Sequence, residues 1–140
     1  MSQNNVRAMA IAKPGRAVNI TVWVVQVLLA AFFVFAAMPK LLGDPATVAS
    51  FHTTGFGEWF RYLTGSCEVA GAVGLLIPRL SGLAAIGLVG LMVGATLTNL
   101  FLLPDSAPVA VVTILLGVVF GLIAKVRWPQ TVALAGMLRR

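Results

Sequence analysis

The chain has 140 residues, of which 59% are hydrophobic and only 10% are charged. Because about 25% charged residues is typical of soluble domains, this composition excludes an ordinary soluble globular protein and predicts a single domain embedded in the lipid bilayer. The net charge of +6 does not predict nucleic-acid binding, since the basic residues flank the apolar segments and form no stripe with interleaved aromatic residues.

Four apolar segments predict four transmembrane helices between two basic ends of the chain. The helices are predicted over residues 18–38, 58–77, 81–103 and 107–124. They define three parts of the chain, which are a cytoplasmic N-terminal tail at 1–17, a transmembrane domain at 18–124 and a cytoplasmic C-terminal segment at 125–140 that rests on the membrane surface. Of the ten Lys and Arg residues, only Lys40 and Arg61 fall on the opposite side, so the positive-inside rule places both termini in the cytoplasm.

The connection between the first two helices predicts a short helix at the membrane interface. Asp44 followed by Pro45 is typical of an N-cap and a first helical turn, and the residues up to Gly55 suffice for about two turns. The predicted fold class is therefore an all-α membrane protein, a four-transmembrane-helix bundle with a short interfacial helix in its first outer loop.

A carboxylate, Glu68, stands inside an otherwise apolar run. A charge at membrane depth costs about 2.5 to 3.5 kcal/mol on insertion scales, so such a residue usually faces the protein interior and has a partner. At a rise of 1.5 Å per residue, Glu68 lies about 13 Å below the outer boundary. Asn99 and Thr96 on the third helix, Thr64 one turn before Glu68, and Lys40 at the end of the first helix fall on the same side. The sequence predicts a small polar pocket that opens outward.

Each of these residues also has a purely structural interpretation. Glu68 could be a carboxylate that only joins helices by hydrogen bonds, or a group that binds a proton or a ligand. Lys40 could snorkel at the boundary, and His52, a further candidate for the site, could be an exposed loop histidine. Gln26 is predicted as an interhelical contact and Cys67 as a small packing residue. The sequence contains no recognisable metal-ligand cluster or catalytic motif, so no metal and no catalytic residue is predicted.

Two GxxxG patterns, at Gly90 and Gly94 and at Gly117 and Gly121, predict close approach of helix backbones. The contact could lie within one chain or between chains, so a homo-oligomer is an open alternative.

The chain from Phe33 to Leu100 resembles the DoxX-like family of small four-helix membrane proteins. The resemblance rests on Lys40 with Leu41, Gly55, the G-x-x-E of Gly65 to Glu68, the block GAVGLLIPR and a third helix of small residues that ends near Asn99. It implies a membrane-embedded bundle named after subunits associated with quinol oxidation and thiosulfate-to-quinone electron transfer.

Three functional hypotheses follow. The first is a redox-associated, quinone-linked membrane subunit in which Glu68 exchanges a proton, with a quinone as candidate cofactor and another membrane or redox subunit as partner. The second is a protein that binds or transports a small lipophilic ligand. The third is an assembly or stability factor for a larger membrane complex. Whether the protein is an enzyme is not predicted.

Overall fold

The computed structural model describes residues 3–4 and 15–140, so most of the N-terminal tail predicted at 1–17 lies outside the described residues. Residues 15–140 form five α-helices and confirm the predicted all-α, membrane-like bundle. The helices are α1 (Arg16–Leu42), α2 (Pro45–Thr53), α3 (Glu58–Leu76), α4 (Ser81–Phe101) and α5 (Ala107–Leu138).

Among the described residues, three helices are long and apolar enough to cross a membrane, namely α1, α4 and α5. The protein is therefore a multi-pass membrane protein. Helix α3 has 19 residues and does not reach the same hydropathy, because it contains Glu58, Arg61 and Glu68. Its crossing of the membrane stays a prediction, which its packing between α1 and α4 supports.

The short helix in the first outer loop is present as α2. Helix α1 ends at Leu42, and its C-cap is Gly43, whose positive φ of 77° is a conformation that glycine adopts without strain. The carboxylate of Asp44 then accepts hydrogen bonds from the backbone N–H and the hydroxyl of Thr47, both at 3.1 Å, and Pro45 follows in the first turn. The predicted N-cap is thus confirmed.

Two helices extend beyond their predicted ends. Helix α1 continues through Pro39 to Leu42, and Pro39 lies in its last turn, where its missing N–H removes a single backbone hydrogen bond. Helix α5 does not stop at Ala124 but continues through Pro129 to Leu138, so the prediction of a separate helix end there is wrong. Hydrogen bonds from the Arg127 side chain to Gln26 and Asn19 on α1 hold this extension against the bundle.

The helices pack in the order α1, α3, α4, α5, and α2 lies mainly on α3. Helices α1 and α5 make few backbone contacts and are joined by large side chains instead. The rings of Phe33 and Phe120 meet edge to face at 5.3 Å in the centre of the core.

The bundle has two ends, which differ in their polar residues. One end contains the end of α1, helix α2, the start of α3, the end of α4 and the start of α5, and we call it the Glu68 end. The other contains the start of α1, the end of α3, the start of α4 and the second half of α5, and we call it the Arg127 end. The N-terminus of α1 and the C-terminus of α5 therefore leave the bundle from the same end.

Candidate ligand site

An ion pair between α1 and α3 forms the centre of the Glu68 end. The ammonium group of Lys40 donates to both carboxylate oxygens of Glu68, each at 3.0 Å, and to the backbone carbonyl of Ala36, also at 3.0 Å. The Glu68 side chain is 7% exposed and the Lys40 side chain 19% exposed. Glu68 thus has the partner that its position in an apolar segment demands.

A cavity of about 530 Å³ lies beside this ion pair. This volume falls within the range of about 300 to 1,000 Å³ that is usual for small-molecule sites. The polar side chains in its wall are Lys40, Ser50, Thr54, Thr64, Glu68, Thr98, Asn99 and Thr113. The remaining wall is apolar and comes from all five helices, with Phe32, Phe33, Ala36, Phe51, Phe60, Gly90, Leu91, Met92, Gly94, Ala95, Leu103, Val109, Val112 and Leu116.

The structure brings four of the six predicted site residues together in this wall, namely Glu68, Lys40, Thr64 and Asn99. Thr96 does not line the cavity, and its hydroxyl lies 2.7 Å from that of Thr113, which joins α4 to α5. His52 is exposed on α2 and does not line the cavity. The role of all six residues in binding stays a prediction.

Helix α2 contributes a part of the cavity that the sequence did not indicate. Ser50, Phe51 and Thr54 line it, and the Phe51 ring lies 6.0 Å from the ring of Phe60 on α3. Since these α2 residues recur at a spacing of three to four, the helical period could have identified them as one face.

The two GxxxG patterns do not bring helices of the described chain into close contact. A Cβ added at Gly90, Gly94 or Gly121 would have no atom of the described chain within 4 Å, and one at Gly117 would meet only Met92 at 3.4 Å. Gly90 and Gly94 instead line the cavity, where the absence of side chains leaves space. Contact between chains at these glycines stays a prediction.

Arg61 positions the end of α1 that carries Lys40. Its guanidinium donates to the backbone carbonyl of Lys40 and, at 3.3 Å, to Glu58, and it lies 4.2 Å from the centre of the Tyr62 ring. A cation at the C-terminus of a helix stabilises the last carbonyl groups. Arg61 is only 2% exposed, so its side chain belongs to the bundle interior.

The Arg127 end contains a second polar group, the Arg127 cluster, formed by Asn19, Gln26, Arg127 and the Leu75 carbonyl. Gln26 donates to the Leu75 carbonyl at 2.6 Å and accepts from Nε of Arg127 at 2.7 Å, which confirms its predicted role as an interhelical contact. Arg127 also donates to Asn19 at 2.6 Å. Gln26 is fully buried and Arg127 is 1% exposed.

Sequence reasoning missed Arg127 because a cation after an apolar segment is typical of a membrane boundary. A signal was nevertheless present. The buried face of α5 includes Phe120, Ile123 and Ala124, and the same helical spacing reaches Arg127 one turn later.

Cys67 is exposed, so its prediction as a packing residue within the chain is wrong. It lies next to Glu68 on α3 but belongs to a different surface, an apolar groove between α3 and α4. Among the described residues, no group of three or more His, Cys, Asp or Glu side chains is placed to hold a metal ion.

Comparison with known proteins gave no match among curated proteins and none among solved structures. The model of the DoxX-like family matches residues 24–124. This region contains every residue that lines the cavity, and it ends before Arg127. The chain therefore belongs to the DoxX-like family.

Proposed function

We propose that this protein binds a small lipophilic molecule inside the membrane, with the polar head of the ligand against the Lys40–Glu68 pair. One observation carries the proposal, the position of a buried ion pair in the wall of a cavity of about 530 Å³. A pair that only joined helices would be expected in close-packed surroundings, because protein interiors contain few voids larger than a water molecule.

The division of the wall supports a ligand with two different ends. The carboxylate and ammonium groups are held on α1 and α3, whereas α4 and α5 contribute mainly apolar side chains such as Leu91, Val112 and Leu116. Recognition of a small molecule commonly combines apolar walls with a few placed polar groups. A polar ring or head with a short apolar tail fits this arrangement.

The chemistry available at the head is proton exchange. A carboxylate can accept a proton from a ligand hydroxyl and return it, and the Lys40 ammonium compensates its charge while it is ionised. A quinone is the candidate ligand that the family resemblance suggests. Because Glu68 and Lys40 can move a proton but no electron, a redox role would require a partner subunit that supplies or accepts electrons.

The proposed orientation has both termini in the cytoplasm and the cavity in the outer half of the membrane. Two features support it. The first helix begins and the last helix ends at the same end of the bundle. All four carboxylates of the sequence, Asp44, Glu58, Glu68 and Asp105, belong to the opposite end, and the positive-inside rule places the cation-rich Arg127 end in the cytoplasm.

Native mass spectrometry of the detergent-purified protein, combined with lipid extraction, tests the proposal. Gly90→Leu should place its side chain in the cavity, since Gly90 lines the cavity and a Cβ there has no neighbour within 4 Å among the described residues. Gly121→Leu is the matched control, because Gly121 is equally free of such neighbours and does not line the cavity.

We expect a lipophilic molecule to co-purify with the wild type and with Gly121→Leu, and to be lost from Gly90→Leu and reduced in Glu68→Gln. The absence of any bound molecule from the wild type, or equal retention by Gly90→Leu, would contradict the proposed function.

A further inference from the structure

We infer that the head group recognised in this cavity is a hydrogen-bond donor, such as a hydroxyl or an amine, and not a carbonyl-type acceptor. The inference rests on the proposed function and specifies the chemical class of its ligand. It follows from an inventory of the donors and acceptors that the cavity wall presents.

The ammonium group of Lys40 has no proton left for a ligand. Its three N–H groups correspond to three hydrogen bonds, two to the Glu68 carboxylate and one to the Ala36 carbonyl, all at 3.0 Å. A carbonyl ligand would have to displace one of these acceptors.

The hydroxyl groups in the wall also direct their protons away from the cavity. Each one donates to a backbone carbonyl three or four residues earlier in its own helix, at 2.6 to 3.0 Å. The residues concerned are Ser50, Thr54, Thr64, Thr98 and Thr113. One N–H of the Asn99 side-chain amide likewise donates to the Ala95 carbonyl at 2.7 Å. The second amide N–H of Asn99 is the one side-chain donor among these polar residues of the wall that remains for a ligand.

Several hydrogen-bond acceptors in the cavity wall, by contrast, remain available to a ligand. An ionised carboxylate has about four lone-pair sites, and Lys40 occupies two of those on Glu68. The amide oxygen of Asn99 accepts no hydrogen bond from the described residues. The hydroxyl oxygens retain lone pairs as well. The wall therefore offers a charged acceptor and several neutral ones, against one neutral donor.

A ligand hydroxyl that donates to Glu68 would leave the Lys40 pair intact and add a charge-assisted hydrogen bond. Such bonds contribute about 1.5 to 3 kcal/mol, which corresponds to a preference of roughly ten-fold or more for a donor over a matched compound without one. For a quinone-type head, the reduced, hydroxyl-bearing form would be the better ligand.

A competition between para-hexylphenol and its methyl ether, para-hexylanisole, tests this inference. The two probes share ring and tail, and in the ether a methyl group replaces the hydroxyl proton. We would add an equimolar mixture to the purified wild-type protein and count bound molecules by native mass spectrometry, with Gly90→Leu as the background for binding outside the cavity and Gly121→Leu as the control.

We expect the phenol to exceed the ether by about ten-fold or more in the wild type. The ratio should fall in Glu68→Gln, because an amide oxygen is a weaker acceptor and the amide N–H group can donate to the ether. The wild-type comparison stands even if that variant does not fold.

Equal binding of both probes, or tighter binding of the ether, with both signals removed by Gly90→Leu, would overturn the inference and leave the proposed function intact. Binding of neither probe, or binding that Gly90→Leu does not change, would overturn both.

Discussion

The two ends of the bundle hold α1 in the same way and differ in what surrounds that contact. At each end a buried guanidinium group reaches α1, Arg61 through the Lys40 carbonyl and Arg127 through Asn19 and Gln26. At the Arg127 end the polar groups are enclosed by side chains. At the Glu68 end they border a cavity of about 530 Å³. Buried polar groups in one small bundle can thus hold helices together at one end and border a cavity for a ligand at the other.

Gly74 and Gly82 at one end, and Gly90 and Gly94 at the other, show the same difference, whereas Gly65 at the Glu68 end is closely packed, with Leu41 3.0 Å from the position of a Cβ. At the Arg127 end a Cβ on Gly74 would lie 2.7 Å from the Cβ of Ala84, and one on Gly82 would overlap the Thr131 hydroxyl. These glycines allow α4 to approach α3 and α5. At the Glu68 end, Gly90 and Gly94 have no such neighbour among the described residues, and the room they leave belongs to the cavity.

The largest loss of stability is expected from Gln26→Leu at the Arg127 end. It leaves the Leu75 carbonyl and the Nε of Arg127 without their buried partner, and unsatisfied buried groups cost about 1 to 3 kcal/mol each, more when charged. We expect the free energy of unfolding to fall by about 3 kcal/mol or more. Unfolding by SDS in mixed micelles measures it. Gln130→Leu is the control, since Gln130 makes one long contact of 3.4 Å with Ser81. Equal losses in both variants would show that the buried hydrogen bonds of Gln26 contribute no more stability than the single contact of Gln130.

Lys40→Met tests whether the ion pair at the Glu68 end behaves as a coupled unit. The variant leaves a buried carboxylate without its cation, and we expect a loss of about 3 kcal/mol in the free energy of unfolding. Adding Glu68→Leu should recover most of it, because an apolar pair avoids the cost of burying charge. The same unfolding assay on the two single variants and the double variant gives the coupling energy. A double variant that is less stable than Lys40→Met would show that Glu68 has another structural partner.

A pair of identical substitutions compares the glycines directly. Gly82→Ala should destabilise the protein by about 1 to 3 kcal/mol, since the new methyl group overlaps the Thr131 hydroxyl and lies 3.1 Å from the Arg127 carbonyl oxygen, so that Thr131 or the backbone of α5 must shift. Gly90→Ala should be neutral or stabilise by up to about 1 kcal/mol, because alanine favours the helix and meets no neighbour. Thermal unfolding in one detergent measures both changes. Similar losses at the two positions would contradict the difference in packing.

The smallest effect is expected from Thr96→Val, which removes the hydrogen bond to Thr113 between α4 and α5. Interhelical hydrogen bonds in membranes average about 0.6 kcal/mol, so the free energy of unfolding should change by about that amount. Binding of para-hexylphenol should stay unchanged, since Thr96 does not line the cavity. Loss of that binding, with normal stability, would place Thr96 in the site.

Length and hydropathy were sufficient to predict α1, α4 and α5 as membrane helices, because membrane segments must satisfy their backbone groups internally and must match the bilayer. Depth and the cost of an isolated charge predicted that Glu68 has a partner, but they left open whether Lys40, Asn99 or Thr96 is that partner, and the structure shows Lys40. The end of α5 could not be predicted in this way, because Arg127 was interpreted as a residue at the membrane boundary. Its burial depends on Gln26 and Asn19, which are distant from it in the sequence.

The cavity itself was predicted only in outline. The four residues Glu68, Lys40, Thr64 and Asn99 share a depth that the sequence defines, and they do line it. Its open volume depends on whether Gly90 and Gly94 face a neighbouring helix or an empty space. A GxxxG pattern is equally compatible with both arrangements. The contribution of α2 depends on how a loop helix folds back, which no periodicity specifies.

The ion pair between α1 and α3 has a consequence for biogenesis. Helix α3 is not apolar enough to count among the independent membrane spans, and α1 carries a lysine into the same region. Lys40 on α1 therefore supplies the countercharge for Glu68 on α3, whereas α1 is apolar enough to cross the membrane alone. Ribosomal synthesis delivers α1, α2 and α3 before α4 and α5 emerge. We expect α1, which is apolar enough to cross alone, to enter the lipid first, and α3 to follow it with Lys40 as the partner of Glu68, so that the last two helices assemble on this pair.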